Sequence, residues 1–147
     1  LATLLLASAA AHAADDFSPA PGTPPPVDRM AKARQAIAAR DWSGALRELQ
    51  AHVRTAPNDA DAHNLLGYSY RKRASPDVAK AFEHYRTALK INPDHRGAHE
   101  YIGEAYIALG RLDKAREHLD ALDKICFLPC EAYRDLKRSY EAALRSR

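Results

Sequence analysis

Cys126 and Cys130 are the only cysteines in this chain of 147 residues, set in Ile125-Cys126-Phe127-Leu128-Pro129-Cys130. Three chemistries are open to such a pair: a structural disulfide, a soft metal site, or thiol exchange. Pro129 biases Leu128 away from helical geometry, so the chain turns there and the sulfurs can meet. A bond closing so short a loop contributes only about 2 kcal/mol in the chain-entropy picture. Its use is to fix the angle of the helix that follows. His118, eight residues before Cys126, offers a third soft ligand for copper. The spacing is neither the Cys-x-x-Cys of thiol exchangers nor the Cys-x-x-Cys-His of haem attachment. The disulfide is therefore the expected state, with metal or redox use as the rival.

Histidine is the other chemistry-bearing type. His95 and His99 lie four apart, a spacing that puts two imidazoles on one helix face. No acidic partner completes a known metal motif, and His99-Glu100 lacks the second histidine of His-Glu-x-x-His. Structural roles are expected. Neither Gly-x-Ser-x-Gly nor a glycine-rich phosphate loop occurs. The sequence thus predicts no enzyme, no catalytic residue, no resident metal and no cofactor. A net charge of +3 without a long Lys/Arg run gives no reason to expect nucleic acid.

These residues must be positioned by helices. From Asp28 onward Ala, Leu, Arg, Lys and Glu dominate, all strong helix formers. The expected helices are 28–39, 42–55, 60–73, 76–91, 95–109, 112–125 and 130–145. Ahead of them, Leu1 to Ala11 is apolar and uncharged and ends at Ala11-His12-Ala13, a small-x-small cleavage site. Residues 1–13 read as a signal peptide whose basic leading part precedes the given sequence. It is too short to span a bilayer. Residues 14–27 carry Pro19, Pro21, Pro24, Pro25 and Pro26 and read as an extended linker. A periplasmic or secreted location follows, with no membrane insertion after cleavage.

The helical part repeats itself. His63-x-x-Leu66-Gly67-x-x-Tyr70, Ala81-x-x-x-Tyr85 and Pro93 return as His99-x-x-Ile102-Gly103-x-x-Tyr106 and Ala115-x-x-x-Leu119. An eroded first copy supplies Ala45-x-x-x-Leu49 and Pro57. Gly67 and Gly103 let the second helix of the same hairpin approach, and Tyr70 and Tyr106 fill space between units. A two-residue insertion falls in Arg73-Ala74-Ser75-Pro76-Asp77, with Ser75 as the expected N-cap and Pro76 as the first helical residue.

The order of these residue types resembles the tetratricopeptide repeat over about 27–125. His63 and His99 stand where the family has Trp, and Phe127 where it has Pro. The resemblance implies an all-α, right-handed superhelix of about three helix hairpins (28–59, 60–95 and 96–127). A C-terminal capping helix follows within 128–147, with Tyr133, Leu136, Tyr140 and Leu144 facing inward. The segment from Cys126 to Leu136 also resembles the ending of small exported bacterial repeat proteins.

The resemblance further implies a concave groove lined by the first helix of each unit. Its expected residues are Arg34 and Ile37 from the first unit, Asn64, Tyr68, Arg71 and Lys72 from the second, and Glu100, Glu104 and Ile107 from the third. That groove is expected to be basic at one end and acidic at the other. The implied function is a non-enzymatic adaptor or scaffold holding a peptide or partner protein, with self-association open. The family's carboxylate clamp does not carry over, since Glu100 and Glu104 repel a carboxylate.

Overall fold

The computed structural model describes residues 28–146. The expected signal peptide at 1–13 and linker at 14–27 lie outside the described residues. Within them the chain forms seven helices and no strand: α1 (Arg29–Ala38), α2 (Trp42–Thr55), α3 (Ala60–Lys72), α4 (Val78–Ile91), α5 (Arg96–Ala108), α6 (Leu112–Ile125) and α7 (Glu131–Arg145). No helix among the described residues is long and apolar enough to cross a membrane.

Local chemistry sets where the helices start. Asp28, Asp41, Asp59 and Asp77 precede the first four helices, and each carboxylate accepts from the amide three residues on at 2.8–3.0 Å. His95 does the same for α5, its Nδ1 accepting from the Ala98 amide at 3.0 Å. The expected start of α4 at Pro76 is therefore corrected. Helix α4 begins at Val78 with Asp77 as N-cap. A carboxylate is a stronger acceptor than the Ser75 hydroxyl, and the Asp77 amide is itself tied to the Tyr70 carbonyl at 3.0 Å.

The helices pair as hairpins α1/α2, α3/α4 and α5/α6, and each hairpin packs on the next. Helix α7 closes the array against α5 and α6. One hairpin cannot bury its apolar side, so the core is built between hairpins, in two parts. Its larger part joins Met30, Leu46, Leu49, Leu66, Tyr70, Phe82, Tyr85 and Ile102. A second part joins Leu119, Leu122, Cys126 and Leu136. Tyr70 and Tyr106 do bridge units. Gln50 Nε2 of α2 donates to the Tyr70 hydroxyl at 2.9 Å, and the Tyr106 ring lies 4.7 Å from that of Phe82 on α4.

The two repeat glycines do different work. A Cβ at Gly67 would sit 2.6 Å from the Tyr85 ring and 2.9 Å from the Ala81 carbonyl, so α4 is indeed the helix that approaches. At Gly103 the nearest atoms belong instead to the Leu136 side chain of α7, at 2.6 Å. The expected contact within the hairpin is corrected there: the terminal helix lies over α5, and Leu136 is fully buried against it. Leu144, expected inward, is 49% exposed one turn from the chain end.

Candidate functional site

The faces of α3 and α5 that the groove was expected to use do come together, but the charges do not separate. Arg71 Nη2 donates to Glu104 Oε2 at 2.7 Å, and Arg71 Nε donates to the Tyr85 hydroxyl at 3.3 Å. Both partners of the ion pair are mostly buried. The expected basic and acidic ends therefore neutralise one another at the α3–α5 contact. Arg71 and Glu104 brace the wall of the groove rather than stand open within it.

Two other expected residues are covered by neighbouring helices, Asn64 fully and Ile107 in part. Asn64 is 5% exposed, and its Oδ1 has no hydrogen-bond partner. The first turn of α5 covers it, with Asn64 Nδ2 only 2.9 Å from where a Cβ would stand on Gly97. Ile107 packs into the core shared with α7. Both corrections have one cause. Helix α5 packs on α3 and α7 packs on α5, so part of each of these faces is covered by its successor. Arg34 stays exposed, 3.9 Å from Asp61, and Ile37 is half-buried.

What remains open is aromatic. The Tyr68 ring lies 4.7 Å from Tyr101 on α5 and 5.9 Å from Trp42 at the start of α2, the latter edge-on. Tyr101 continues the row to Tyr85 at 6.4 Å. The Lys72 ammonium and Arg71 guanidinium stand 5.6 and 5.8 Å from the Tyr68 centroid, within cation–π range. Trp42, Tyr68 and Tyr101 are each partly exposed. Trp42 and Tyr101 were missed in the sequence. Trp42 had a signal, as the one Trp of the chain. Tyr101 had none, since its equivalent in the preceding unit is Leu65.

Beside the row, Glu100 lines a concavity of about 430 Å³ with Arg96, Tyr101, Glu131 and Asp135. Burial pushes the Glu100 carboxyl up to about 7, with Glu104, Asp135 and Glu131 adding like charge. Burial and the neighbouring Glu100 likewise raise Tyr101 to about 12. The arrangement offers flat rings and a reluctant carboxylate, which suit binding.

The expected histidine and cysteine chemistry is distributed otherwise. His95 and His99 do not act together: His95 caps α5 and meets Asp61 at 2.9 Å, while His99 faces His118. His118 turns Nδ1 to His99 at 2.9 Å and stacks on Tyr106. The sulfurs of Cys126 and Cys130 are joined to each other, with Cα atoms 5.8 Å apart. Among the described residues no group of three or more His, Cys, Asp or Glu is arranged to hold a metal ion.

Two tetratricopeptide-repeat profiles match, one over residues 30–94 and the other over 73–140. The chain belongs to the tetratricopeptide-repeat family. The TPR2B domain of yeast Sti1, solved in complex with pHsp70, superimposes with a TM-score of 0.71 at 21% identity. That match covers 81% of this chain and 95% of the domain, and it establishes the likeness of fold. A stretch of 73 residues is 29% identical to the E3 SUMO-protein ligase RanBP2 of Drosophila melanogaster, covering 50% of this chain and 3% of that protein. The tetratricopeptide repeat is generally a module of protein–protein interaction, without catalysis of its own.

Proposed function

We propose that this chain is an exported adaptor that holds a peptide segment or partner protein across the α3–α5 face. The observation that carries the reading is the partly exposed aromatic row Trp42–Tyr68–Tyr101, braced from behind by the Arg71–Glu104 pair. Tyr and Trp offer large, rigid contact area with little rotamer entropy to lose, which is why they anchor interfaces. The repeat architecture supports the same reading, because a stack of hairpins presents a preformed surface. The apolar opening ending at Ala13 supports export to the periplasm or beyond, and there a Cys126–Cys130 bond would persist. The proline-bearing segment before Asp28 would then act as a spacer giving reach.

A photo-crosslinking residue in place of Tyr101 tests this, against the same residue in place of Glu83 on the exposed side of α4. Both proteins are exposed to the periplasmic contents of the producing cell. The expected result is a discrete adduct, to another protein or to a second copy, from position 101 only. Equal labelling from both positions would sink the groove reading. Cys126→Ser with Cys130→Ser should leave the adduct intact. Its loss there, with retention in Tyr68→Ala, would move the function to the cysteine corner.

A further inference from the structure

The second and third units each contain the same unexpected constellation. His63 Nε2 lies 2.9 Å from the Pro57 carbonyl, and its Nδ1 lies 3.1 Å from Nδ1 of His84 on α4. One unit on, His99 Nε2 lies 2.9 Å from the Pro93 carbonyl, and its Nδ1 lies 2.9 Å from Nδ1 of His118 on α6. The outer imidazole of each pair stacks on the unit's tyrosine, His84 on Tyr70 at 5.6 Å and His118 on Tyr106 at 5.8 Å. All four rings are half-buried.

Hydrogen-bond bookkeeping fixes the protons. A carbonyl oxygen only accepts, so His63 and His99 carry hydrogen on Nε2. In their neutral form Nδ1 is then a bare acceptor. The facing Nδ1 of His84 and His118 must therefore be the donor. Each pair is held by one N–H···N hydrogen bond between the two helices of a hairpin. The ring centroids, 5.3 and 5.1 Å apart, are nearly as distant as these nitrogen contacts permit, so the nitrogens meet almost head-on. A metal on that line, at about 2.0–2.1 Å from each nitrogen, needs them about 4 Å apart. The space fits a proton.

The pair can accept one further proton, on Nε2 of the outer ring, without losing its bond. A second must go to Nδ1 of the inner ring, where it would face an N–H. The unfolded chain has no such limit, and both rings there titrate near 6.5.

We propose that the two histidine pairs are acid-sensitive clasps, each holding its helix hairpin closed until protons outnumber the single site the pair can fill. Burial against the helices lowers His84, and it lowers His118 to about 4, so even the first proton is resisted. The charges acting on His84 are those of His63, Lys80 and Glu83, and on His118 those of His99, Lys114 and Glu117. Each pair thus sees one cation and one anion from its own second helix, acting in opposite senses. Helix α2 reaches the first clasp through Gln50, bonded to Tyr70, while its His52 is engaged by Asp59 at 2.8 Å. Because each clasp anchors one helix of the binding face, α3 or α5, to the second helix of its hairpin, acid would loosen the support of that face.

The sign follows from proton counting. Below about 6.5 the unfolded state binds more protons than the folded state, so stability falls as pH falls. One excluded proton lowers the folded-to-unfolded ratio roughly twentyfold between pH 7 and pH 5, and the two pairs together lower it roughly several hundredfold. Glu100 acts in the opposite direction over part of this range, so the clasps are read as a difference. His84→Gln with His118→Gln keeps an N–H donor to each inner ring but lets it turn and accept. Urea unfolding at pH 7 and pH 5 should show the wild-type ratio falling at least tenfold further than that of the double variant. Equal falls would overturn the proposal. Independently of how the variant folds, long-range nitrogen–proton spectra of the wild type should show Nε2–H on His63 and His99 and Nδ1–H on His84 and His118 at pH 7.5. Both rings of a pair fully protonated in the folded protein at pH 5 would also overturn it.

Discussion

Arg71 of α3 reaches 2.7 Å to Glu104 of α5 and, with the same guanidinium, 3.3 Å to the Tyr85 hydroxyl of α4. One side chain therefore ties together both helices of the second unit and the first helix of the third. Removing one partner of such a pair leaves the other desolvated and unpaired. Arg71→Ala is expected to cost about 2 kcal/mol, and Arg71→Glu more, because it sets a new carboxylate against Glu104 and Glu100. Urea denaturation measures both. In a double-mutant cycle, Arg71→Ala with Glu104→Ala should be less costly than the sum of the singles. Strict additivity would show that the pair does not brace the groove.

Gly67 and Gly103, equivalent in the repeat, should respond unequally to a methyl group. At Gly67 the obstacle includes the backbone carbonyl of Ala81, which cannot yield without moving α4. Overpacking of that kind typically costs about 1–3 kcal/mol. At Gly103 the obstacle is the Leu136 side chain, which can change rotamer, and Ala gains up to about 1 kcal/mol in helix propensity. Gly67→Ala should therefore lower the thermal midpoint clearly, with Gly103→Ala closer to wild type. The reverse order in circular dichroism melts would contradict the contacts described.

Glu100 should make the protein less stable at alkaline pH than it need be. Its carboxyl is raised to about 7 in the folded state against 4.5 for a free glutamate side chain. Between those values the folded state holds the extra proton, so stability falls as pH rises and the penalty is complete above 7. Glu100→Gln is expected to stabilise at pH 8 by about 1 kcal/mol, after discounting for the solvent that still reaches the group, and to be nearly neutral at pH 4. Paired urea titrations at the two pH values decide it. A variant no more stable than wild type at pH 8 would remove the penalty.

Arg40 closes the turn between α1 and α2 with φ at 57°, where the equivalent turn after α5 has Gly110 at 71°. Left-handed backbone costs a residue with a Cβ about 1–2 kcal/mol, and glycine almost nothing. Arg40→Gly should raise stability by about 1 kcal/mol in chemical denaturation, less any loss from the freer unfolded chain. A destabilised variant would mean that the Arg40 side chain supports the turn.

The sequence by itself determined the number of helices, their pairing into hairpins and most of their limits. Those features rest on local rules: apolar spacing on each helix, proline at the turns, and small residues where two helices of one hairpin cross. The repeat made them legible because the same rules had to be satisfied two or three times in register. Tertiary structure alone decided how the units meet. Asn64 and Ile107 read as groove residues from their helix positions, yet α5 covers the first and α7 the second. Arg71 and Glu104, 33 residues apart, read as opposite ends of a charged groove and instead neutralise each other. His63 and His99 read as fillers for a large-residue position, but their partners lie 21 and 19 residues away, displaced by the two-residue insertion in one turn. Spacing along one helix tells which side chains share a face. Only the packing of helices within and between hairpins decides whether that face meets water, a carboxylate or another imidazole.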